Sequence, residues 1–406
     1  MHALEYSPTL PAYAAARFTG GTRGGPLTLL RLAHRPAPRL PGPGWVRVRP
    51  LLAGICGSDL AALDGHASPY LGALASTPFV PGHEIVGRPC DEYGHPGNGR
   101  VIVEPLLHCA VRGVRPACPR CAAGEPQGCE SVAGEGIDAG LQTGYCVATG
   151  GGWASELVAH HSQLHRVPDS MNDRDAVLVE PLACAAHAVL RSGAQNGDRV
   201  LVLGAGTLGL LSIAALRALG RPGRLLAVAK HDHQRRLAAE LGADVVSTPS
   251  TMLRTVRFET RARLVEGRGT EPFLLGGVDV CFECTGTAGG LRDAMAVTRA
   301  GGTVVMVGMP GRVHVDLSLA WQRELVLRGA YGYGIEHRAA LGDGDAEPPR
   351  RTFEIALGLA ERLGIGRFVS DPYSLSEYRD AIAEAASAGS RGAVKVAFAP
   401  GTEWAA

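Results

Sequence analysis

The sequence predicts an α/β protein in which a doubly wound parallel-sheet domain is inserted into a β-rich domain built from both ends of the chain. Three observations carry this expectation. The chain has 406 residues, more than one compact core usually covers, so two domains are expected. From about Arg199 short apolar runs alternate with helical stretches, the pattern of a parallel sheet covered on both faces. On either side of that region the chain reads instead as short strands between proline and glycine turns.

The elements follow in order. GWVRVRPLLAGI, beginning at Gly44, alternates and then runs apolar, and PFVPGHEIVGRP, beginning at Pro78, is a second strand bounded by prolines. RVLVLG, RLLAVA, VDVCFE, GTVVMVG and ELVLRGA supply the parallel strands, with helical segments such as Gln234–Leu241 between them. Beyond Gly329 come helices near Thr352–Leu363 and Ser376–Ala388 and a closing strand, AVKVAFA. Residues 1–181 and 330–406 are therefore expected to form the β-rich domain, and residues 182–329 the inserted one.

Composition narrows the class of partner. A net charge of +1 gives no field to attract a phosphate backbone or an anionic membrane surface, so neither nucleic acid nor membrane is expected as a partner. The N-terminus has no basic start followed by an apolar run, and a cytoplasmic protein is expected. Ten cysteines in such a chain argue for metal ligation or buried thiols over disulfides. Of 40 basic residues only Lys230 and Lys395 are lysines, which makes each of them worth following individually.

The run Gly204-Ala205-Gly206-Thr207-Leu208-Gly209 follows the strand RVLVL and opens the helix LLSIAALRALG, the setting of a dinucleotide site. Gly204 makes the tight turn, Gly206 lets backbone approach a pyrophosphate, and Gly209 lets helix and strand pack closely. The helix start, with Thr207 and Leu208, offers unpaired N–H groups to the anion. Thr285 and Gly308, at the ends of two later strands, are expected to line the same cofactor. After the second strand Ala229 stands where NAD recognition calls for a carboxylate, and Lys230, His231, Arg235 and Arg236 follow. That basic cluster favours NADP. Two alternatives stay open, a register shift that brings Asp232 to the ribose for NAD, and a merely solvated helix start.

Cys56, His83 with Glu84, and Glu180 offer sulfur, nitrogen and oxygen donors, the mixture that suits a catalytic zinc with an open position. Each alone has a bland explanation as a buried thiol, a turn histidine or a helix start. With GICGSD, PGHE, GAGTLG and the terminal KV strand on one chain, the sequence resembles the zinc-dependent medium-chain dehydrogenase/reductase superfamily over nearly its whole length. It is more similar to the polyol and sugar dehydrogenases than to liver-type alcohol dehydrogenases, because Glu180 stands where the latter carry a cysteine.

The resemblance implies a GroES-like catalytic domain, a Rossmann domain, a small-molecule alcohol or carbonyl substrate in the cleft between them, NADP or NAD as hydride carrier, and a homodimer or homotetramer. It implies zinc on Cys56, His83 and one or both of Glu84 and Glu180. Charge counting predicts that one carboxylate is held loosely and exchanges during turnover, since two would leave the site anionic. The resemblance makes Ser58 the first proton relay, and Asp59 reads as a support of the metal site. Many relatives carry a histidine five residues after the ligand cysteine; here Ala61 stands there, and His66 is the candidate substitute, or simply a solvated loop residue.

The superfamily also implies a structural zinc on four cysteines spaced C-x2-C-x2-C-x7-C. Cys118, Cys121 and Cys129 match the last three positions, but the first falls on Arg115. Cys109, six residues upstream, is the candidate fourth ligand, and Arg112, Arg115 and Arg120 are placed to offset the charge of four thiolates. A weak three-cysteine site and no metal at all are the alternatives. Cys281 and Cys284 read as core, and Cys146 and Trp153 as packing or pocket wall. A zinc-free enoyl or quinone reductase and a non-catalytic zinc module are the competing functional readings.

Overall fold

The computed structural model describes residues 1–19, 29–91, 94–220, 222–336 and 348–401. The chain divides into two compact units, Met1–Glu180 with Ala360–Ala406, and Pro181–Leu359.

In the first unit a six-stranded sheet runs in the order Ala397–Phe398, Trp45–Gly54, Ile85–Pro89, Val101–Val103, Leu164–Arg166, and Leu157–His160 also pairs with Trp45–Gly54. Every pairing is antiparallel. The interior gathers Leu4, Tyr6, Ile55, Phe79, Trp153 and Phe398, so the first strand, the PFV segment and the last strand share one core. That sharing makes the two chain ends parts of one domain.

The second unit holds a six-stranded parallel sheet in the order Val245–Ser247, Arg224–Val228, Arg199–Leu203, Val278–Glu283, Thr298–Met306, Val326–Gly329. The strand order reverses at Arg199–Leu203, which lies beside both the second and the fourth strand of this sheet in chain order. Five of these strands match the apolar runs of the sequence. The edge strand Val245–Ser247 is only three residues long and gives no run to recognise. No helix among the described residues is long and apolar enough to cross a membrane, and the apolar stretch after Val200 is a strand, a glycine turn and the helix Thr207–Leu219.

The second boundary falls at Ala360, inside the helix Thr352–Leu363, and not near Gly329. A buried polar knot explains the difference. His187 Nδ1 lies 2.5 Å from Glu336 Oε1, and the Thr352 hydroxyl donates to the same oxygen at 2.7 Å. These bonds fasten the segment after the last parallel strand to the helix Val179–Arg191. Burial pushes the Glu336 carboxyl up, but His187, Thr352 and Arg191 outweigh it and hold it below its ordinary value. A carboxyl depressed in the folded state contributes stability above its unfolded pKa of about 4.3 and loses it as pH falls through the folded value. Glu336→Gln should therefore cost about 1–3 kcal/mol at pH 7, and the difference from wild type should shrink below about pH 4. Urea unfolding at both pH values checks this.

Candidate active site

Register brings the first constellation together. Ala53 pairs with Ile85 across two antiparallel strands, so Cys56, just past the end of one, lies beside His83 and Glu84, just before the start of the other. A sulfur, a ring nitrogen and a carboxylate oxygen of these three residues lie within 4.8 Å of one another. Gly54 makes room for the third: a β-carbon there would sit 1.9 Å from Glu84 Oε2. Cys56 then starts the helix Gly57–Leu63, where its backbone N–H donates to Asp59 Oδ2 at 3.0 Å. His83 Nδ1 is buried with no hydrogen bond and lies 3.6 Å from Asp59 Oδ1. An orphaned buried nitrogen beside a thiol and a carboxylate is what a metal site with its ligands in place leaves behind, so these residues fit the implied zinc.

A residue outside the expected set completes the cluster. Lys395 is buried, and its Nζ donates to both Glu84 oxygens at 2.7 Å and to the Ile55 carbonyl at 3.1 Å. Burial lowers the ammonium pKa, but Glu84, Cys56 and Glu180 outweigh it and raise the value above the ordinary one. Glu180, expected among the ligands, lies outside the group of mutually close donors; it is buried in the first turn of the helix Val179–Arg191, where its charge reaches Lys395.

Ser58 and Asp59 lie beside a second unexpected residue. The Tyr145 hydroxyl is 3.2 Å from Ser58 Oγ and 3.1 Å from Asp59 Oδ1. Burial and the Asp59 charge push this phenol well above its ordinary pKa of 10.0. His66, the candidate substitute for the histidine missing at Ala61, is exposed past the end of the helix, and the hydroxyl beside Ser58 belongs to Tyr145. The sequence held no signal for it, since 87 residues separate the two.

The four cysteines of the lobe also converge, with their sulfurs within 4.8 Å of one another. Cys109 has looped back to lie 3.7 Å from Cys129, and its sulfur accepts the Cys118 backbone N–H at 3.3 Å. Slight burial raises the Cys118 thiol, but hydrogen bonds from the Glu130 amide and the neighbouring cysteines outweigh it and bring it down to about 7. Arg112 is buried in this lobe, donating to the carbonyls of Leu107, Val132, Glu135, Ile137, Asp138 and Gly140. Arg120 pairs with Glu125 at 2.7 Å, and Arg115 is exposed, so Arg112 is the cation built into the lobe.

In the second unit the cofactor-binding candidates gather at the carboxyl ends of neighbouring parallel strands, beside the reversal of strand order. Gly204 turns with φ +99°, and a β-carbon on Gly209 would sit 1.8 Å from the Gly204 carbonyl, so both positions require glycine. A β-carbon on Gly206 would meet open space at the helix start, where Thr207 and Leu208 follow. Thr285 donates its backbone N–H to Glu283 Oε1 at 2.8 Å, and Gly308 donates its own to the Glu283 carbonyl at 2.8 Å. At the end of the second strand Lys230 is exposed and His231 precedes the helix Asp232–Glu240. Arg235 folds back onto the Lys230 carbonyl at 2.9 Å and pairs with Asp232, so it does not stand free for a phosphate.

Comparison with known proteins agrees with this anatomy. Residues 42–169 match the alcohol dehydrogenase GroES-like domain and residues 207–342 the zinc-binding dehydrogenase family. The chain is 29% identical to the L-idonate 5-dehydrogenase of Vitis vinifera over 298 residues, covering 72% of this chain and 74% of that one. It is 31% identical to the (R,R)-butanediol dehydrogenase of Bacillus subtilis over 323 residues, covering 75% and 82%. A zinc-binding dehydrogenase of Sinorhizobium meliloti 1021 solved with NADP superimposes with a TM-score of 0.65 at 27% identity, covering 91% of this chain and 95% of that one. With a GroES-like domain, a Rossmann sheet and these relatives, the chain belongs to the zinc-dependent medium-chain dehydrogenase/reductase superfamily, as an NAD(P)-dependent alcohol dehydrogenase acting on CH–OH groups.

Proposed function

We propose that the protein interconverts a secondary alcohol or polyol-like hydroxyl with its carbonyl using NADP(H), with a catalytic zinc on Cys56, His83 and Glu84 and a structural zinc on Cys109, Cys118, Cys121 and Cys129. The observation that carries this reading is the meeting of the half-buried Cys56 thiol, two residues from Ser58, with a buried, orphaned imidazole nitrogen and a buried carboxylate. When bound, zinc supplies a Lewis acid for the substrate oxygen and the nicotinamide a hydride acceptor or donor. The protein's own groups do the rest. Ser58 relays the proton of the substrate hydroxyl, taking it up as its own hydroxyl proton is passed on, Asp59 holds the start of the Cys56 helix, and Lys395 fixes Glu84. Glu180 is then the loosely held carboxylate that exchanges. Lys395 also changes the charge count: with its ammonium present, one thiolate and two carboxylates leave a zinc site neutral.

Coenzyme preference rests on Lys230. Ala229 provides no carboxylate for a ribose hydroxyl, and the Asp232 carboxylate is occupied by Arg235. An exposed ammonium beside that slot suits a 2′-phosphate. Reduced-nicotinamide absorbance followed with NADP and with NAD, across polyols, secondary alcohols and aldehydes, tests the reading. Lys230→Ala should raise KM for NADP by about tenfold and leave that for NAD unchanged, as expected for one charge-assisted contact. A clear NAD preference in wild type would overturn the coenzyme assignment.

Metal analysis should find two zinc ions per chain. Fewer than one would favour a zinc-free reductase of the same fold. Cys109→Ser should remove one zinc and lower the melting temperature while the remaining zinc supports turnover. Lys395→Met should cost about 3–5 kcal/mol in unfolding experiments, because it leaves the Glu84 carboxylate buried without a counter-charge.

A further inference from the structure

We propose that Tyr145 positions the Ser58 hydroxyl for proton transfer, an assignment that rests on the alcohol dehydrogenase reading of this site. The phenol has one proton to give and two neighbours within reach, Ser58 Oγ at 3.2 Å and Asp59 Oδ1 at 3.1 Å. A carboxylate only accepts, whereas a serine hydroxyl donates as well as accepts. The bond to Asp59 is charge-assisted and roughly twice as strong as one between two hydroxyls. Tyr145 therefore donates to Asp59 and turns a lone pair towards Ser58. Ser58 answers by pointing its own proton at Tyr145, which leaves its remaining lone pair open to a substrate hydroxyl.

Each part of this arrangement is held from a separate direction. Asp59 cannot turn its carboxylate freely, because its other oxygen takes the Cys56 N–H at 3.0 Å. The Tyr145 ring packs against Phe79 and His83, with ring centroids 5.2 and 5.8 Å away. Its backbone carbonyl accepts from Ser76 at 3.3 Å, and its backbone N–H donates to Gln142 at 3.1 Å. Tyr145 thus reaches Ser58 by hydrogen bonding from a distant loop, whereas Ala61, in the helix that carries Ser58, offers no polar group. As Ser58 takes up the substrate proton, its own proton moves to the Tyr145 oxygen and the Tyr145 proton to Asp59 Oδ1, so the tyrosine is neutral before and after the transfer.

Tyr145→Phe keeps the ring and removes only the hydroxyl. In the zinc-loaded enzyme it should lower kcat by about tenfold, part of the roughly 10²–10⁴ a positioned proton acceptor contributes, with KM and zinc content within twofold of wild type. In a Ser58→Ala background the same substitution should change kcat by less than twofold, since there is no hydroxyl left to orient. Melting of the metal-free protein gives a readout independent of turnover: the Tyr145→Phe and Ser58→Ala shifts should fail to add in the double variant. A wild-type kcat in Tyr145→Phe, an equal loss in both backgrounds, or additive melting shifts would each overturn the proposal. If wild type turns over no alcohol with either nicotinamide, the functional reading fails instead, and the melting cycle alone then decides whether Tyr145 holds Ser58.

Discussion

The buried ion pair between Lys395 and Glu84 is the constraint on which the first unit turns. A carboxylate sealed from water is costly unless a cation meets it with good geometry. Here the cation arrives from the last strand region, 311 residues along the chain, and reaches both oxygens. The same ammonium also holds the Ile55 carbonyl, one residue before Cys56. One side chain therefore joins the end of the chain to both segments that supply the metal-binding candidates. The core that holds Leu4, Phe79, Trp153 and Phe398 also takes in Ile55 and Val396, chain neighbours of this contact, and the absence of a β-carbon at Gly54 gives the carboxylate its place.

The two cysteine-bearing sites answer different electrostatic demands. Around Cys56 an ammonium balances the Glu84 carboxylate. In the lobe a guanidinium sits beside four thiols that would close a metal's coordination shell completely. Lysine and arginine suit these places for separate reasons. The compact ammonium fits between two carboxylate oxygens and a carbonyl, whereas the planar fork of Arg112 spreads its donors over six carbonyls. In a chain whose other cations are nearly all arginine, the two lysines stand beside the Cys56, His83 and Glu84 cluster and at the end of the second parallel strand.

Much of this was legible in the sequence where chemistry and local pattern coincide. The glycine turn, the parallel strands and the Cys56 and His83 motifs each combine a residue type with its own strand or helix, so the local stretch carries the signal. The convergence of Cys109 with the other thiols was readable too, because glycines and prolines between them permit the turn. What escaped are contacts made by a residue far away in the chain. Lys395 and Tyr145 lie in segments whose local pattern says only strand or loop, and their partners are fixed by packing. Glu180 shows the converse: its motif marks it as a ligand, but its carboxylate lies apart from the group of donors that the strands draw together. Arg235 is a local version of the same limit, since a pairing three residues back in the helix decides which basic group stands free.

The carbonyl cage around Arg112 has a consequence for how the lobe comes into being. Six backbone carbonyls already satisfy the guanidinium, so the segment from Val132 to Gly140 can be organised by hydrogen bonds that need no ion. The positive charge so held stands beside Cys129 and Cys109. The polarity of the lobe is thus set by the chain's own hydrogen bonds. Four thiolates gathered there would meet a counter-charge that the fold itself supplies, which would offset part of their mutual repulsion.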